Sequence, residues 1–225
     1  MDSDGLTLRE RRRVVTQQTI QLHAMRLFVE RGYDNTTVID VAQAAGVSPM
    51  TVYRNFPTKE DLVLSDEYDP VIAERVAARP AEEPLMRRIG MTLVDEVGRV
   101  LRGAEAGSGQ DGAGHSLEVA YRGRDLLLAR LKLVLATPAL RARRWDGQFA
   151  TQTAIVEALQ GDSSDPDCEF RLSVAAGACL SAVGVALIRW ANEDGRPDLR
   201  QLMIEALAVL SDGQFDDELK SEPRR

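Results

Sequence analysis

Few residues in this 225-residue chain have the types and spacing that bond-making chemistry needs. His23 and His115 are its two histidines, and neither has a serine or aspartate partner at a recognisable spacing. A general base needs such a partner to orient the ring and to pass on the proton it takes. Neither histidine is therefore expected to be catalytic, and His23 is expected at the solvent-facing rim. Cys168 and Cys179 are the two cysteines. On one helix they would share a side but stand roughly 16 Å apart, too far for a disulfide. Reduced thiols and a cytoplasmic location are the expectation. No cysteine or histidine cluster has metal-ligand spacing, so no metal and no cofactor is expected. Residues 107–112 read Gly-Ser-Gly-Gln-Asp-Gly and formally match a dinucleotide fingerprint. That chemistry needs a strand before the glycines and a helix opening from them. Here the preceding Leu101-Arg102-Gly103 ends a helix, so the match carries no nucleotide site. The chain reads as a binding protein rather than an enzyme.

One segment does have purposeful spacing. Thr37 to Phe56 reads Thr-Val-Ile-Asp-Val-Ala-Gln-Ala-Ala-Gly-Val-Ser-Pro-Met-Thr-Val-Tyr-Arg-Asn-Phe. Thr37 is an N-cap with Asp40 three residues on, a box-like pair at the positive end of a helix. Val41 and Ala45 form an inner stripe, and Ala42 is small where a second helix crosses. Gly46 can take the positive φ of a tight turn. Ser48 followed by Pro49 is a cap followed by a first-turn proline, so the second helix starts sharply. Val47 plugs the turn and Val52 faces inward. This is a helix-turn-helix, whose second helix enters a DNA major groove. Met50 and Thr51 are the base-edge candidates, and either would suit a thymine methyl. Tyr53 and Arg54 are placed for phosphate or a base edge, with Ser48 at the helix start completing the set. Thr37 and Lys59, each at a helix start, are placed for phosphate. Arg9, Arg11, Arg12 and Arg13 offer a basic arm.

The remaining elements position these residues. Hydrophobic residues make up 44% of the chain and strand-like alternation is absent, so an all-α fold of about nine helices is expected. A first helix runs from about Glu10 or Thr16 to Glu30, with Ile20, Ala24, Leu27 and Phe28 inward and Gly32 as its stop. Thr58 caps a long helix reaching about Arg79, with Asp61 at its third position. Helices follow at about 85–102, 123–135, 138–160, up to Ala191, and 198–211. Residues 103–116 read as a loop. The expected domains are a DNA-binding head at 1–58, a larger helical body at 59–215 and a disordered tail at 216–225. Net charge is −7, which sits oddly with DNA until it is located: the arginines precede the head, while Asp212, Asp216, Asp217 and Glu218 lie in the tail. Leu172 to Ile188 holds seventeen uncharged residues, the lower limit for a membrane span. Its Ala, Gly, Ser and Cys content, flanked by Arg171 and Arg189, favours a buried or dimer-shared helix and no membrane. The small stripe Ala175, Cys179, Ala182 and Ala186 is the expected dimer face.

The segment Ile20 to Leu62 resembles the N-terminal domain of TetR-family transcriptional regulators. The resemblance is carried by Leu27-Phe28-Val29-Glu30-Arg31-Gly32-Tyr33, Thr36-Thr37-Val38, Ala45-Gly46-Val47-Ser48 and Val52 through Leu62. Asn55 stands where the family commonly has histidine, and Met50 where small or polar residues are usual. In the body, Leu131 through Arg143 and Arg189-Trp190-Ala191 to Pro197-Asp198-Leu199 are similar to family members with an acyl-CoA-like ligand-binding domain. The resemblance implies a homodimeric repressor that binds a palindromic operator on double-stranded DNA. It also implies dimerisation through the last two helices and release by a small hydrophobic effector, an acyl-CoA or lipid-like molecule. The alternative is a ligand-independent regulator or activator. Residues placed for the effector are Met91 and Val94 on one helix face, Leu127 and Leu131 on a second, and Trp145, Phe149 and Thr153 on a third. Arg141, Arg143 and Arg144 are placed for a ligand phosphate.

Overall fold

A computed structural model describes residues 8–64, 71–103, 123–161 and 166–210. Ten helices and no strand occur among the described residues: α1 (Leu8–Arg31), α2 (Val38–Ala44), α3 (Pro49–Asn55), α4 (Asp61–Leu64), α5 (Val71–Ala77), α6 (Leu85–Gly103), α7 (Arg124–Ala136), α8 (Pro138–Gln160), α9 (Pro166–Asn192) and α10 (Leu199–Val209). The expected single helix from Lys59 to Arg79 is represented by α4 and α5, with residues 65–70 outside the described set. His115, the 107–112 glycines and the acidic tail also lie outside it. The chain divides into two compact units, residues 1–69 with 100–150, and residues 70–99 with 151–225.

In the first unit α1 packs on α2, α4 and α7. Its core joins Ile20, Met25, Leu27 and Phe28 of α1 to Val41, Val52, Phe56 and all of Leu62, Val63 and Leu64. The same core takes in Val134 of α7 and Leu140 of α8. The head is thus not closed by its own helices. Two helices of seven residues each have one short inner stripe apiece, and so small a body buries too little apolar surface by itself. A second tie between these elements is ionic: Arg143 Nη2 reaches Asp61 Oδ1 at 3.4 Å.

The second unit is built on α9 and α10, which pack together. α9 buries Leu172, Ala176, Cys179, Val183 and Trp190. After Asn192 the chain turns through Asp194 at φ 56° and Gly195 at φ 71°. Left-handed backbone favours glycine, and Gly195 N–H closes the turn on the Trp190 carbonyl at 2.8 Å. Trp190 Nε1 donates to the Pro197 carbonyl at 3.1 Å, and Asp198 then caps α10 by accepting from Gln201 N–H. α5 and α6 are joined by ion pairs: Arg79 to Asp95 at 3.4 Å, and Arg75 to Glu96. Arg200 of α10 adds a second contact to Asp95 at 3.3 Å.

The small stripe expected to form a dimer face does something else. Ala175, Cys179 and Ala186 are 5%, 0% and 3% exposed and pack within the chain, while Ala182 is half-buried. Cys179 Sγ donates to the Met86 carbonyl on α6 at 3.6 Å. Small side chains let α9 approach its own neighbour closely, so this face is spent inside the second unit. The side of α9 left outward carries Phe170, Val174, Val185 and Ile188. α9 is also long and apolar enough to cross a membrane by length and composition. Within its apolar stretch 39% is buried inside the chain.

Candidate nucleic-acid interface

The helix-turn-helix assembles as its residues dictate. Thr37 sits in extended backbone, and its hydroxyl accepts from Asp40 N–H at 3.1 Å while Asp40 Oδ2 accepts from Thr37 N–H at 2.8 Å. The Thr37 hydroxyl also donates to Asp40 Oδ2 at 2.5 Å, and this bond and then the one from Thr37 N–H hold the Asp40 carboxyl below its usual range. Gly46 has φ +66°, and Val47 N–H returns to the Ala42 carbonyl at 3.0 Å. Ser48 Oγ accepts from Thr51 N–H at 3.1 Å and shares a hydrogen bond with Thr51 Oγ1 at 2.9 Å. Val52 is fully buried and Phe56 nearly so, which sets the rotation of α3 about its axis.

That rotation leaves one face of α3 outward. Met50 is 75% exposed and Tyr53 48%, and Arg54, one turn from Met50, is exposed. The three lie at i, i+3 and i+4, one side of a helix. Ser48 and Thr37 are exposed at the starts of their helices. Thr51 is half-buried and tied to the cap, so its hydroxyl has a partner within the protein. Asn55 turns back on α3, donating from Nδ2 to the Thr51 carbonyl at 2.7 Å.

Lys59 is half-buried. Its Nζ donates to the Tyr33 carbonyl at 2.5 Å and lies 4.1 Å from the centroid of the Tyr33 ring. The Tyr33 hydroxyl donates to Glu60 Oε1 at 2.9 Å. Burial first, and then Glu60, push the Tyr33 phenol well above its ordinary range. Sequence reasoning missed Tyr33. Its aromatic type beside Gly32 was a signal, but its partners lie 26 and 27 residues on.

The effector candidates scatter. Val94 and Leu131 are each 1% exposed, and Met91 and Leu127 are half-buried. Trp145 and Phe149 do share a face of α8, as their spacing requires, but that face is outward: they are 73% and 67% exposed. Thr153 is exposed as well. Arg141 Nη1 donates to the Leu135 carbonyl and Arg143 pairs with Asp61, so both bond within the protein. His23 is half-buried rather than at an open rim. Burial and then Arg26 lower its affinity for a proton, and among the described residues its Nδ1 has no hydrogen-bond partner. No group of three or more potential metal ligands occurs among the described residues.

Comparison with known proteins adds three findings. Residues 22–65 match the family model described as bacterial regulatory proteins, tetR family, and residues 117–214 match one described as the MftR C-terminal domain. The HTH-type transcriptional regulator TcmR of Streptomyces glaucescens is 30% identical over 218 residues, covering 95% of this chain and 87% of that protein. YvkB of Bacillus subtilis, an uncharacterised HTH-type transcriptional regulator, is 44% identical over 48 residues, 21% of this chain and 25% of its own. Among solved structures, NalD of Pseudomonas aeruginosa, described as the secondary repressor of the MexAB-OprM multidrug efflux pump, aligns with a TM-score of 0.53 at 18% identity. That alignment covers 89% of this chain and 95% of NalD. At that identity the likeness is one of fold.

Proposed function

The chain belongs to the tetR family of bacterial regulatory proteins, and on that premise we propose that it is a homodimeric repressor. In this reading it binds a palindromic operator and is released by a small hydrophobic effector. The observation that carries the reading is the α3 face of Met50, Tyr53 and Arg54, held outward on a helix whose start is capped and whose inner side is buried. A rigid helix with one uncommitted side is what insertion into a major groove requires. Met50, Thr51, Tyr53 and Arg54 are the residues proposed to read or flank base edges. Ser48, Thr37 and Lys59 are proposed for the phosphate backbone.

Dimerisation is proposed through α9 and α10. The support is the outward apolar row of Phe170, Val174, Val185 and Ile188, joined on α10 by Ile204. For the effector, an acyl-CoA or lipid-like molecule is the class to test first, from the resemblance of residues 131–143 and 189–199 to family members with an acyl-CoA-like ligand-binding domain. Met91 and Val94 of the second unit, one half-buried and one buried, are proposed to meet it.

The test is selection of duplexes from a random pool, then titration of the selected duplex by fluorescence anisotropy at several salt concentrations. A palindromic consensus is expected, with log affinity falling linearly in log salt by about 0.9 per phosphate contacted. No enrichment, or an affinity indifferent to salt, overturns the reading.

A further inference from the structure

Lys59 is held in the head by a backbone carbonyl and two aromatic rings. Its Nζ donates to the Tyr33 carbonyl at 2.5 Å. It also lies over two rings, 4.1 Å from the Tyr33 centroid and 5.7 Å from the Phe28 centroid. An ammonium within about 6 Å of an aromatic face is attracted by the ring quadrupole. The cage is itself rigid. The two rings are 5.0 Å apart, Phe28 is 1% and Tyr33 7% exposed, and the Tyr33 hydroxyl is tied to Glu60 Oε1. That bond engages the nearest acidic residue in sequence elsewhere, and among the described residues no ion pair to Lys59 is found. An ammonium has three N–H donors, and the Tyr33 carbonyl takes one. What remains is a half-exposed ammonium with no ion-pair partner among the described residues.

We propose that Tyr33 is a positioning residue for DNA binding: its ring and carbonyl hold the Lys59 ammonium ready for a backbone phosphate. The inference rests on the reading of the head as a DNA-binding domain. A free lysine loses most of its rotamer freedom when it meets a phosphate. Lys59 has lost that freedom before DNA arrives, so the contact forms at lower cost. The aromatic cage therefore acts on DNA affinity without touching DNA.

The experiment is a double-mutant cycle on the duplex that the wild-type protein selects from a random pool, with affinity measured across salt. Lys59→Gln should lower the magnitude of the salt slope by about 0.9, one phosphate contact. Tyr33→Leu, which removes the ring, should weaken binding about 3- to 10-fold, the scale of ordering one long side chain. In the Lys59→Gln background the same change should have no further effect. Tyr33→Phe keeps the ring and should bind as wild type. Tyr33 is buried, so circular dichroism melts confirm that each variant is folded at the assay temperature. Lys59→Gln alone keeps the test decisive if Tyr33→Leu does not fold. An unchanged slope in Lys59→Gln, or an equal loss from Tyr33→Leu in both backgrounds, overturns the proposal while the head still binds DNA. Failure of the wild-type protein to select any duplex is the separate failure of the underlying reading.

Discussion

At the scale of single residues, the interface divides by what each side chain already touches. Met50 is exposed, and the proposed reading gives it to base edges. Met50→Ala should alter preference at particular base pairs, by about 1–3 kcal/mol for a good contact. Arg54→Ala should weaken all duplexes alike if it meets phosphate. Identical profiles for the two variants across an operator mutation series would remove the assigned roles. Ser48 also caps α3, since its hydroxyl accepts from Thr51 N–H. Ser48→Ala should cost about 1 kcal/mol of stability, the usual loss for a cap, read as a shift in denaturant midpoint. His23 supplies a pH dependence. Burial and then Arg26 place its pKa in the folded chain below the ordinary 6.5. The unfolded chain therefore takes up a proton that the folded chain resists, so stability falls as pH drops through 6.5, until the folded-state value is passed. His23→Asn cannot take up that proton and should lose less melting temperature between about pH 8 and about pH 5. Parallel curves for both proteins would exclude His23 as the titrating group.

At the scale of elements, the two cysteines report how α9 is packed. Cys179 is fully buried, and burial raises its thiol pKa to about 11, so little of it is thiolate at neutral pH. Native alkylation should modify Cys168, which is half-buried, and reach Cys179 only after denaturation, as read by intact mass. Rapid native labelling of both would show that α9 is not packed as described. Much of this architecture was legible in the residues. Thr37 with Asp40, Gly46, and Ser48 with Pro49 are short-range devices whose partners lie within a few residues, and each took its expected place. What was illegible depended on distant partners. Spacing puts Trp145 and Phe149 on one face of α8 but does not say whether that face is inward. The stripe at Ala175, Cys179 and Ala186 permits close approach by any helix, and only the meeting with Met86 on α6 assigns it to the chain itself. The cage around Lys59 needed residues from α1, the following turn and the approach to α4.

At the scale of the whole molecule, the proposed dimer and the proposed switch make linked predictions. Val185 is 64% exposed on the outward row of α9. Val185→Asp should lower the sedimentation mass to that of a monomer and weaken operator binding, because a dimer engages two half-sites. A variant that stays dimeric would place the interface elsewhere. If an acyl-CoA series includes the effector, it must bind the free protein more tightly than the operator complex, typically by a coupling of about 1–3 kcal/mol. Equal affinities would mean that the ligand shifts nothing, leaving a ligand-independent regulator. The core of the first unit has a further consequence, for the order of synthesis. α1 to α4 leave the ribosome before α7 and α8, yet Val134 and Leu140 of those later helices belong to their core. These helices thus wait for partners translated about seventy residues later, Val134 and Leu140 against Leu64. Until residue 140 emerges, the inner faces of Phe28, Leu62 and Leu64 lack part of their cover, and a nascent chain halted before Val134 is an aggregation-prone fragment. A fusion that borrows only the first four helices would inherit that same exposure.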